Sequence, residues 1–213
     1  MKINLFETGK RFNREWIFRH LTFEFSSGNR YAITGPNGSG KSTLLQVIAG
    51  SMTASEGQVQ YEFRGKLVEN DDVYQLVSIA APYLELIEEF TLTEFLRFHQ
   101  TFKPLIKGYS IRDIIEKTGL AKSSHKQIRY FSSGMKQRVK LAQAMFSDTP
   151  VLLLDEPCTN FDQEGFALYH SLVQELCHGR LLIISSNDVQ EYSICDSVIR
   201  VEDYRNSLKT PEA

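Results

Sequence analysis

The stretch from residue 35 to residue 43 limits the possible folds of this chain more than any other. It fits the pattern G-x-x-x-x-G-K-[ST], in which a glycine-rich loop cradles phosphate groups. Three glycines let successive backbone N–H groups point inward at one anion, because glycine adopts conformations that other residues avoid. Lys41 adds a positive charge near the terminal phosphates, and Ser42 offers a hydroxyl to Mg²⁺. We therefore predict a nucleotide site formed by Gly35, Pro36, Asn37, Gly38, Ser39, Gly40, Lys41, Ser42 and Thr43.

The residues on either side of this loop support the same interpretation. Arg30 to Thr34 are typical of a short buried strand, and Ser42 to Ala49 of a helix that ends at Gly50. A strand, a glycine-rich loop and a helix in this order are the context that the motif requires.

Strands and helices alternate along much of the chain. Further strands are expected at Lys2 to Phe6, Trp16 to His20, Leu21 to Phe25, Gln58 to Phe63, Leu76 to Ala80, Val151 to Leu154, Leu181 to Ser185 and Ser197 to Val201. Helices are expected at Met135 to Phe146 and at about Asp162 to His178. This order predicts an α/β fold with a mostly parallel sheet, flanking helices and an antiparallel β piece at the N-terminal end.

The middle of the chain has a helical pattern. Thr91 and Glu94 form a capping-box motif before one helix, and Ser110 precedes a second helix that stops at Gly119. We therefore expect a helical subdomain at about residues 83–130, inserted into a single domain that covers residues 1–213.

Composition narrows the function classes. A net charge of −2 and a pI near 6.2 provide no basic face for nucleic acid. The longest apolar runs have the length of strands and are far shorter than a membrane span. The three cysteines are scattered and contain no C-x-x-C pair, so we expect neither a disulfide framework nor a zinc site, and we expect a reducing cytoplasm.

Two carboxylates follow the apolar run of residues 151–154. In a phosphate-loop enzyme Asp155 is suited to hold Mg²⁺, usually through water, and Glu156 to orient and deprotonate the attacking water. The run alone would favour a solvated acidic turn. Its combination with the glycine-rich loop favours a catalytic pair, because open α/β sheets place their ligands at the carboxyl ends of strands.

The segment Phe131-Ser132-Ser133-Gly134-Met135 and the helix pattern after it complete a third motif. With the other two motifs, in this order and spacing, the chain resembles the nucleotide-binding domain of ABC transporters over essentially its whole length. The usual family signature is Leu-Ser-Gly-Gly-Gln. The resemblance implies a P-loop NTPase core that uses ATP and Mg²⁺, and a head-to-tail homodimer or heterodimer that encloses two ATP molecules. Ser132 and Gly134 would contact the γ-phosphate held by the other subunit, at a helix N-terminus that favours anions.

The resemblance assigns further roles. Phe12 stands where the family has an aromatic residue that stacks on adenine, although a core aromatic is an equal alternative and Trp16 is a second candidate. Asp162 lies in a segment that resembles the loop linking the two active sites across the dimer, and Asn187 lies in the segment that resembles the switch. The implied partners are separate membrane-spanning subunits and no nucleic acid. The expected location is the cytoplasm, on the inner face of the cell membrane when in complex.

Three departures from the family pattern affect catalysis. Ser133 and Met135 replace Gly and Gln of the signature, at a cost on the order of 1 kcal/mol if position 133 needs a positive φ. Asn187 replaces a histidine, and the segment 81–84 lacks the glutamine expected after its strand, since Gln75 lies before that strand. We therefore expect ATP binding with slow hydrolysis.

Three functional classes follow from these observations. The favoured one is the ATP-binding subunit of a transporter, in which the apolar and acidic segment 83–90 would receive a basic helix of the membrane subunits. The main alternative is a regulatory ATP sensor with little hydrolysis. A soluble ABC ATPase acting on DNA or ribosomes is disfavoured, because the chain has neither tandem domains nor a basic face.

Overall fold

A computed structural model describes residues 1–205, which form nine β-strands and seven α-helices. The strands are β1 (Lys2–Phe12), β2 (Glu15–Ser26), β3 (Arg30–Thr34), β4 (Glu56–Phe63), β5 (Lys66–Val68), β6 (Val77–Ala80), β7 (Val151–Asp155), β8 (Leu181–Ser185) and β9 (Ser197–Arg200). The helices are α1 (Lys41–Ile48), α2 (Val73–Leu76), α3 (Leu92–His99), α4 (Ile111–Lys117), α5 (Ser133–Met145), α6 (Gln163–Leu176) and α7 (Val189–Tyr192).

Two sheets organise these elements. The first has the order β2-β1-β4-β5 and is antiparallel throughout. The second has the order β6-β7-β8-β3-β9, and all of its neighbouring strands are parallel. The expected α/β class, with a parallel sheet, flanking helices and an antiparallel N-terminal piece, is confirmed.

The continuous apolar runs at β7 and β8 are explained by burial on both faces of the parallel sheet. Leu152 and Leu154 belong to a core shared with α5 and α6, whereas Leu153 belongs to a second core shared with the antiparallel sheet and α1. Alternate side chains of a strand point to opposite faces, so a strand between two cores must be apolar at every position.

The N-terminal hairpin differs from the expectation. The break expected between His20 and Leu21 is absent, and β2 is one strand of 12 residues. The backbone instead bends within the strands, because Glu7 and His20 have positive φ angles of 45° and 56° and the β1–β2 register shifts nearby. The two residues also contact each other, with His20 Nδ1 2.9 Å from Glu7 Oε2. A bulge of this kind interrupts the sequence pattern without ending the strand.

Between β6 and α5 the chain forms α3, α4 and connecting turns. Thr91 and Glu94 form the expected capping box of α3, and Ser110 forms one with Asp113 at α4. Each box satisfies backbone N–H groups that a helix start would otherwise leave without partners. Within residues 1–205, no helix has the length and apolar character needed to cross a membrane.

The strand order determines where the motifs meet. Strands β7, β8 and β3 lie side by side in the sheet, in this order, and run in the same direction. The segments that follow them begin at Glu156, Ser186 and Gly35, so three distant parts of the chain end at one edge of the sheet.

Candidate nucleotide-binding and catalytic site

The glycine-rich loop connects β3 to α1, and its conformation depends on glycine. Gly40 has a φ of +103°, which side-chain-bearing residues rarely adopt. A Cβ atom at this position would also lie 2.1 Å from Cγ2 of Ile17. Ile17, on β2, therefore packs directly under the end of the loop, and only glycine fits above it.

Lys41 folds back over the loop that precedes it. Its side chain is almost fully buried, and Nζ donates a hydrogen bond of 2.9 Å to the carbonyl oxygen of Gly35. A cavity of about 270 Å³ lies beside it, lined by Ile17, Asn37, Gly38, Gly40, Lys41, Ser42, Thr43 and Glu156. The cavity combines backbone N–H groups, an ammonium group and two hydroxyls, and this chemistry suits phosphates.

Asp155 is a buried carboxylate at the end of β7. It is 1% exposed, and within residues 1–205 its Oδ1 atom has no hydrogen-bond partner. Burying an unpaired carboxylate oxygen is costly unless a cation or proton compensates it. The Ser42 hydroxyl and the Asp155 carboxylate are the oxygen ligands that Mg²⁺ prefers, so the residues present fit this ion. The described residues contain no cluster of three or more metal-binding side chains, and Mg²⁺ would therefore also depend on phosphate oxygens and water.

Glu156 directly follows Asp155, at the start of the turn after β7, and lines the phosphate cavity. Its φ is +42°, in the left-handed region, and its N–H donates a 2.8 Å hydrogen bond to the carbonyl oxygen of Ser185. This backbone bond joins the turn after β7 to the end of β8. A strained backbone conformation at such a position indicates that the surrounding structure holds the residue in place.

Asn187 contacts the phosphate loop directly, although it lies far away in the sequence. Its Oδ1 accepts a 3.3 Å hydrogen bond from the Gly35 N–H, and its Nδ2 donates a 3.1 Å bond to Oδ1 of Asn37. The structure thus brings Glu156 and Asn187, the two residues assigned to catalysis from the sequence, to the loop that carries Lys41.

The signature segment begins α5 at some distance from this cavity. Ser132 is the N-cap, and its Oγ accepts a 3.3 Å hydrogen bond from the Met135 N–H. Ser133 is the first helical residue and does not have a positive φ, so the strain considered for serine at this position does not arise. Neither Ser132 nor Gly134 lines the phosphate cavity of the same chain.

Three further candidates are Phe12 and Asp162, which are exposed, and Trp16, which is not. Phe12 is 47% exposed at the end of β1, with Lys10 Nζ 5.3 Å from its ring centroid, so it does not serve as a core aromatic. Trp16 is partly buried and contacts the guanidinium groups of Arg11 and Arg19. Asp162 is the N-cap of α6, where its Oδ1 accepts a 2.8 Å bond from the Gly165 N–H.

In the segment 81–84, which lacks the expected glutamine, Tyr83 lies near Asp155, a candidate Mg²⁺ ligand. Tyr83 is 44% exposed, and partial burial of its hydroxyl raises the pKa of that group to about 12, with the nearby Asp155 carboxylate acting in the same direction. A phenol therefore lies on the Asp155 side of this loop. The sequence shows that the glutamine is missing, but it does not indicate that Tyr83 lies at the site.

Two buried residues near the site were also missed from the sequence. Gln137 on α5 and Glu191 on α7 are each 4% exposed, and both hydrogen-bond to the turn that follows Glu156. In the sequence, Gln137 and Glu191 appear only as polar residues within helices. That pattern does not show that they bond to the turn after Glu156.

The chain matches known proteins over most of its length. The family model described as ABC transporter matches residues 18–159. An uncharacterized ABC transporter ATP-binding protein of Bacillus subtilis, YybJ, is 30% identical over 99% of this chain and 96% of its own length. The cytochrome c biogenesis ATP-binding export protein CcmA of Cupriavidus pinatubonensis is 34% identical over 80% of this chain and 76% of its own length.

Solved structures show the same fold. A putative ABC transporter ATP-binding protein from Pyrococcus furiosus has a TM-score of 0.81 at 22% identity, covering 96% of this chain and 99% of the other. The bacterial ABC transporter cassette MJ0796, solved as a dimer, also has a TM-score of 0.81, at 20% identity, covering 93% of this chain and 94% of the other.

Proposed function

Because the chain belongs to the ABC transporter family and is an ATP-binding subunit, we propose that it hydrolyses ATP, with Mg²⁺, to drive transport by separate membrane-spanning subunits. The proposal is supported by the fact that the Lys41 loop, Glu156 and Asn187 lie together at one edge of the parallel sheet. Slow turnover, expected from Asn187 and the missing glutamine, is part of the proposal. None of the matched proteins named above is described as a regulatory sensor, the alternative considered from the sequence.

Each residue has a chemical task in this proposal. The backbone N–H groups of residues 35–43 and the Lys41 ammonium bind the phosphates. Ser42 and Asp155 would hold Mg²⁺, which would supply charge neutralisation at the phosphate oxygens when bound. Glu156 orients the attacking water and accepts its proton, and Asn187 donates an amide hydrogen bond to the γ-phosphate. We assign Phe12 to adenine, since its exposed ring is free to stack.

Dimer formation is the second part of the proposal. Ser132 and Gly134 at the start of α5 would contact the γ-phosphate bound by the other subunit, in a homodimer or a heterodimer. The N-terminus of this 13-residue helix favours an anion. Asp162 lies in the loop between the two sites, and a Cβ on Gly134 would be 3.1 Å from the Asn160 carbonyl of that loop. The signature and the loop of Asp162 are therefore in contact.

The membrane partner would dock beside the helical region, in a pocket of about 390 Å³ lined by Pro82, Leu84, Glu85, Leu86, Glu88, Lys136 and Lys140. The charges here are more balanced than segment 83–90 suggested, because Glu88 forms an ion pair with Lys136. We therefore propose a docking helix with apolar and mixed charged side chains rather than a purely basic one. The subunit would act in the cytoplasm, on the inner face of the membrane, without nucleic acid.

We also retain one ABC-type domain for residues 1–213, with a helical insert at about 83–130. Residues 206–213 lie outside the described part of the chain.

The test compares the purified wild-type protein with Glu156→Gln in ATP hydrolysis and in gel filtration at millimolar ATP. Glu156→Gln keeps the shape of the side chain but removes the base, so we expect loss of hydrolysis and an ATP-stabilised dimer. Equal hydrolysis in both proteins would contradict the role of Glu156. A mutant that remains monomeric would contradict ATP-driven dimerisation of the isolated subunit.

A further inference from the structure

The turn after β7 connects this strand to α6. It carries Glu156 at its start and is held by internal bonds, because the Glu156 carbonyl accepts hydrogen bonds from the N–H (3.2 Å) and the Oγ1 (2.9 Å) of Thr159. The Phe161 N–H donates a third bond, of 2.9 Å, to the Cys158 carbonyl. We call residues 156–161 the catalytic turn.

Glu191 holds this turn from the side of the switch segment. Its Oε1 accepts a 2.7 Å hydrogen bond from the Cys158 N–H, and its own carbonyl accepts a 2.8 Å bond from the buried Tyr169 hydroxyl. Within residues 1–205 its second oxygen, Oε2, is buried without a hydrogen-bond partner. A buried carboxyl group with one strong contact in a protein interior is costly, so a purely structural residue here would more often be apolar.

Gln137 holds the same turn from the opposite side. Its Nε2 donates a 2.8 Å hydrogen bond to the Pro157 carbonyl and lies 3.5 Å from the Glu156 carbonyl. Gln137 lies one helical turn after Ser133, on the helix that begins at the signature segment. The catalytic turn is thus held between α5 and α7.

The two contacts connect segments that face the nucleotide. Asn187, at the phosphate loop, is followed by Asp188, the N-cap of α7, and Glu191 lies within this four-residue helix. A movement of Asn187 toward a bound phosphate would therefore shift Glu191 and its bond to Cys158. A movement of the signature helix would shift Gln137 and its bond to Pro157.

We propose that Glu191 and Gln137 are positioning residues that hold the catalytic turn, keep the Glu156 carboxylate aimed into the phosphate cavity, and transmit movements of the switch and signature segments to it. This inference rests on the proposed ATP hydrolysis. Neither residue touches the reacting atoms, so both act through Glu156.

The test measures hydrolysis and hydrogen exchange in the same variants. Glu191→Ala removes the acceptor for the Cys158 N–H, and we expect kcat to fall by on the order of tenfold to a hundredfold with the KM for ATP little changed, as for a misplaced catalytic group. Glu191→Gln keeps an oxygen acceptor and should recover most of this loss. Gln137→Met removes the other bond at similar side-chain length and should also lower kcat rather than raise KM.

Thr149→Val is the matched control, because Thr149 is a buried residue just before β7, at the end opposite to Asp155. Its Oγ1 lies within hydrogen-bond distance of Ser78 Oγ and of the Val151 carbonyl oxygen, so the variant disturbs a buried hydrogen-bond network without touching the catalytic turn. We expect it to lower the melting temperature and to leave kcat near that of the wild type.

Hydrogen exchange followed by mass spectrometry separates this inference from the proposed function. Glu191→Ala should speed exchange in residues 156–161, and Thr149→Val should not. If the wild-type protein does not hydrolyse ATP, the proposed function fails, and exchange still tests whether Glu191 holds the turn. An unchanged kcat in Glu191→Ala, or equal losses in Glu191→Ala and Glu191→Gln, would overturn the inference. If Glu191→Ala does not fold, the test uses Glu191→Gln and Gln137→Met instead. The inference would then be overturned if Gln137→Met left both kcat and hydrogen exchange in residues 156–161 unchanged.

Discussion

Substitution of Gly40 by alanine is expected to damage the phosphate loop for two separable reasons. The first is the backbone, since Gly40 has a φ of +103° that alanine adopts only with strain. The second is space, because the new Cβ would lie 2.1 Å from Ile17 Cγ2, far inside an ordinary carbon–carbon contact. Either the loop or the side chain of Ile17 must move.

The backbone strain alone fixes a lower limit for the effect. A residue held in an unfavourable φ/ψ region costs on the order of 1–3 kcal/mol. If the loop relaxes to a conformation that cannot bind phosphate, this cost appears as an affinity for ATP that is about 5- to 150-fold weaker. The contact with Ile17 adds to it, so we expect a loss toward the upper end.

Two companion variants separate the two causes. Gly28 has a comparable φ of +87° in the turn between β2 and β3, and a Cβ there would meet nothing within 4 Å. Gly28→Ala should therefore lower stability without changing ATP affinity. The double variant Ile17→Ala, Gly40→Ala removes the steric overlap but keeps the strain, and should recover part of the affinity.

Calorimetric titration with Mg·ATP and thermal unfolding measure these effects in all four proteins. Wild-type affinity in Gly40→Ala would refute the argument, because the loop would then not be held over Ile17 as described. Equal affinity losses in Gly28→Ala and Gly40→Ala would show that general destabilisation, rather than the loop, weakens ATP binding.

The remaining predictions concern three single positions. Lys41→Ala should weaken ATP binding by well over tenfold in calorimetry, because a charge-assisted phosphate contact is lost; unchanged affinity would contradict the site. Asn187→His should raise a basal turnover that lies below about 10 per second, and should introduce a pH step near 6.5 in the rate; a flat rate would place the slow step elsewhere. Burial, with Lys103 nearby, lowers the pKa of His99, which contacts Ser147 Oγ at 2.9 Å. The unfolded chain therefore takes up this proton first as the pH falls below about 6.5, so stability should decrease there in denaturant titrations, and His99→Gln should reduce that decrease.

The parts of this protein that sequence predicted well depend on neighbours along the chain. The loop of residues 35–43, the capping boxes at Thr91 and Ser110, and the buried runs at β7 and β8 are local patterns with a direct physical cause. The order of the strands and helices was sufficient for the α/β class, and the three motifs in their order and spacing were sufficient for the ABC transporter family. Both are confirmed by the sheet topology and by the comparisons.

The tertiary structure decided the contacts between distant segments. The bulge at Glu7 and His20 keeps β2 continuous, and the pairing of Glu88 with Lys136 balances the charge of the pocket proposed for docking. The absence of positive φ at Ser133 removes the strain considered there. None of these follows from local pattern, because each depends on a partner or a backbone angle that packing determines.

The same distinction applies at the site itself. The candidate residues for binding phosphate and Mg²⁺ could be predicted from the sequence, because that chemistry belongs to residue types at fixed local spacing. Only the tertiary structure placed Asn187 on the Lys41 loop and held the turn of Glu156 between Gln137 and Glu191. These contacts exist because β7, β8 and β3 are neighbours in one parallel sheet, an arrangement that brings together residues up to about 150 positions apart.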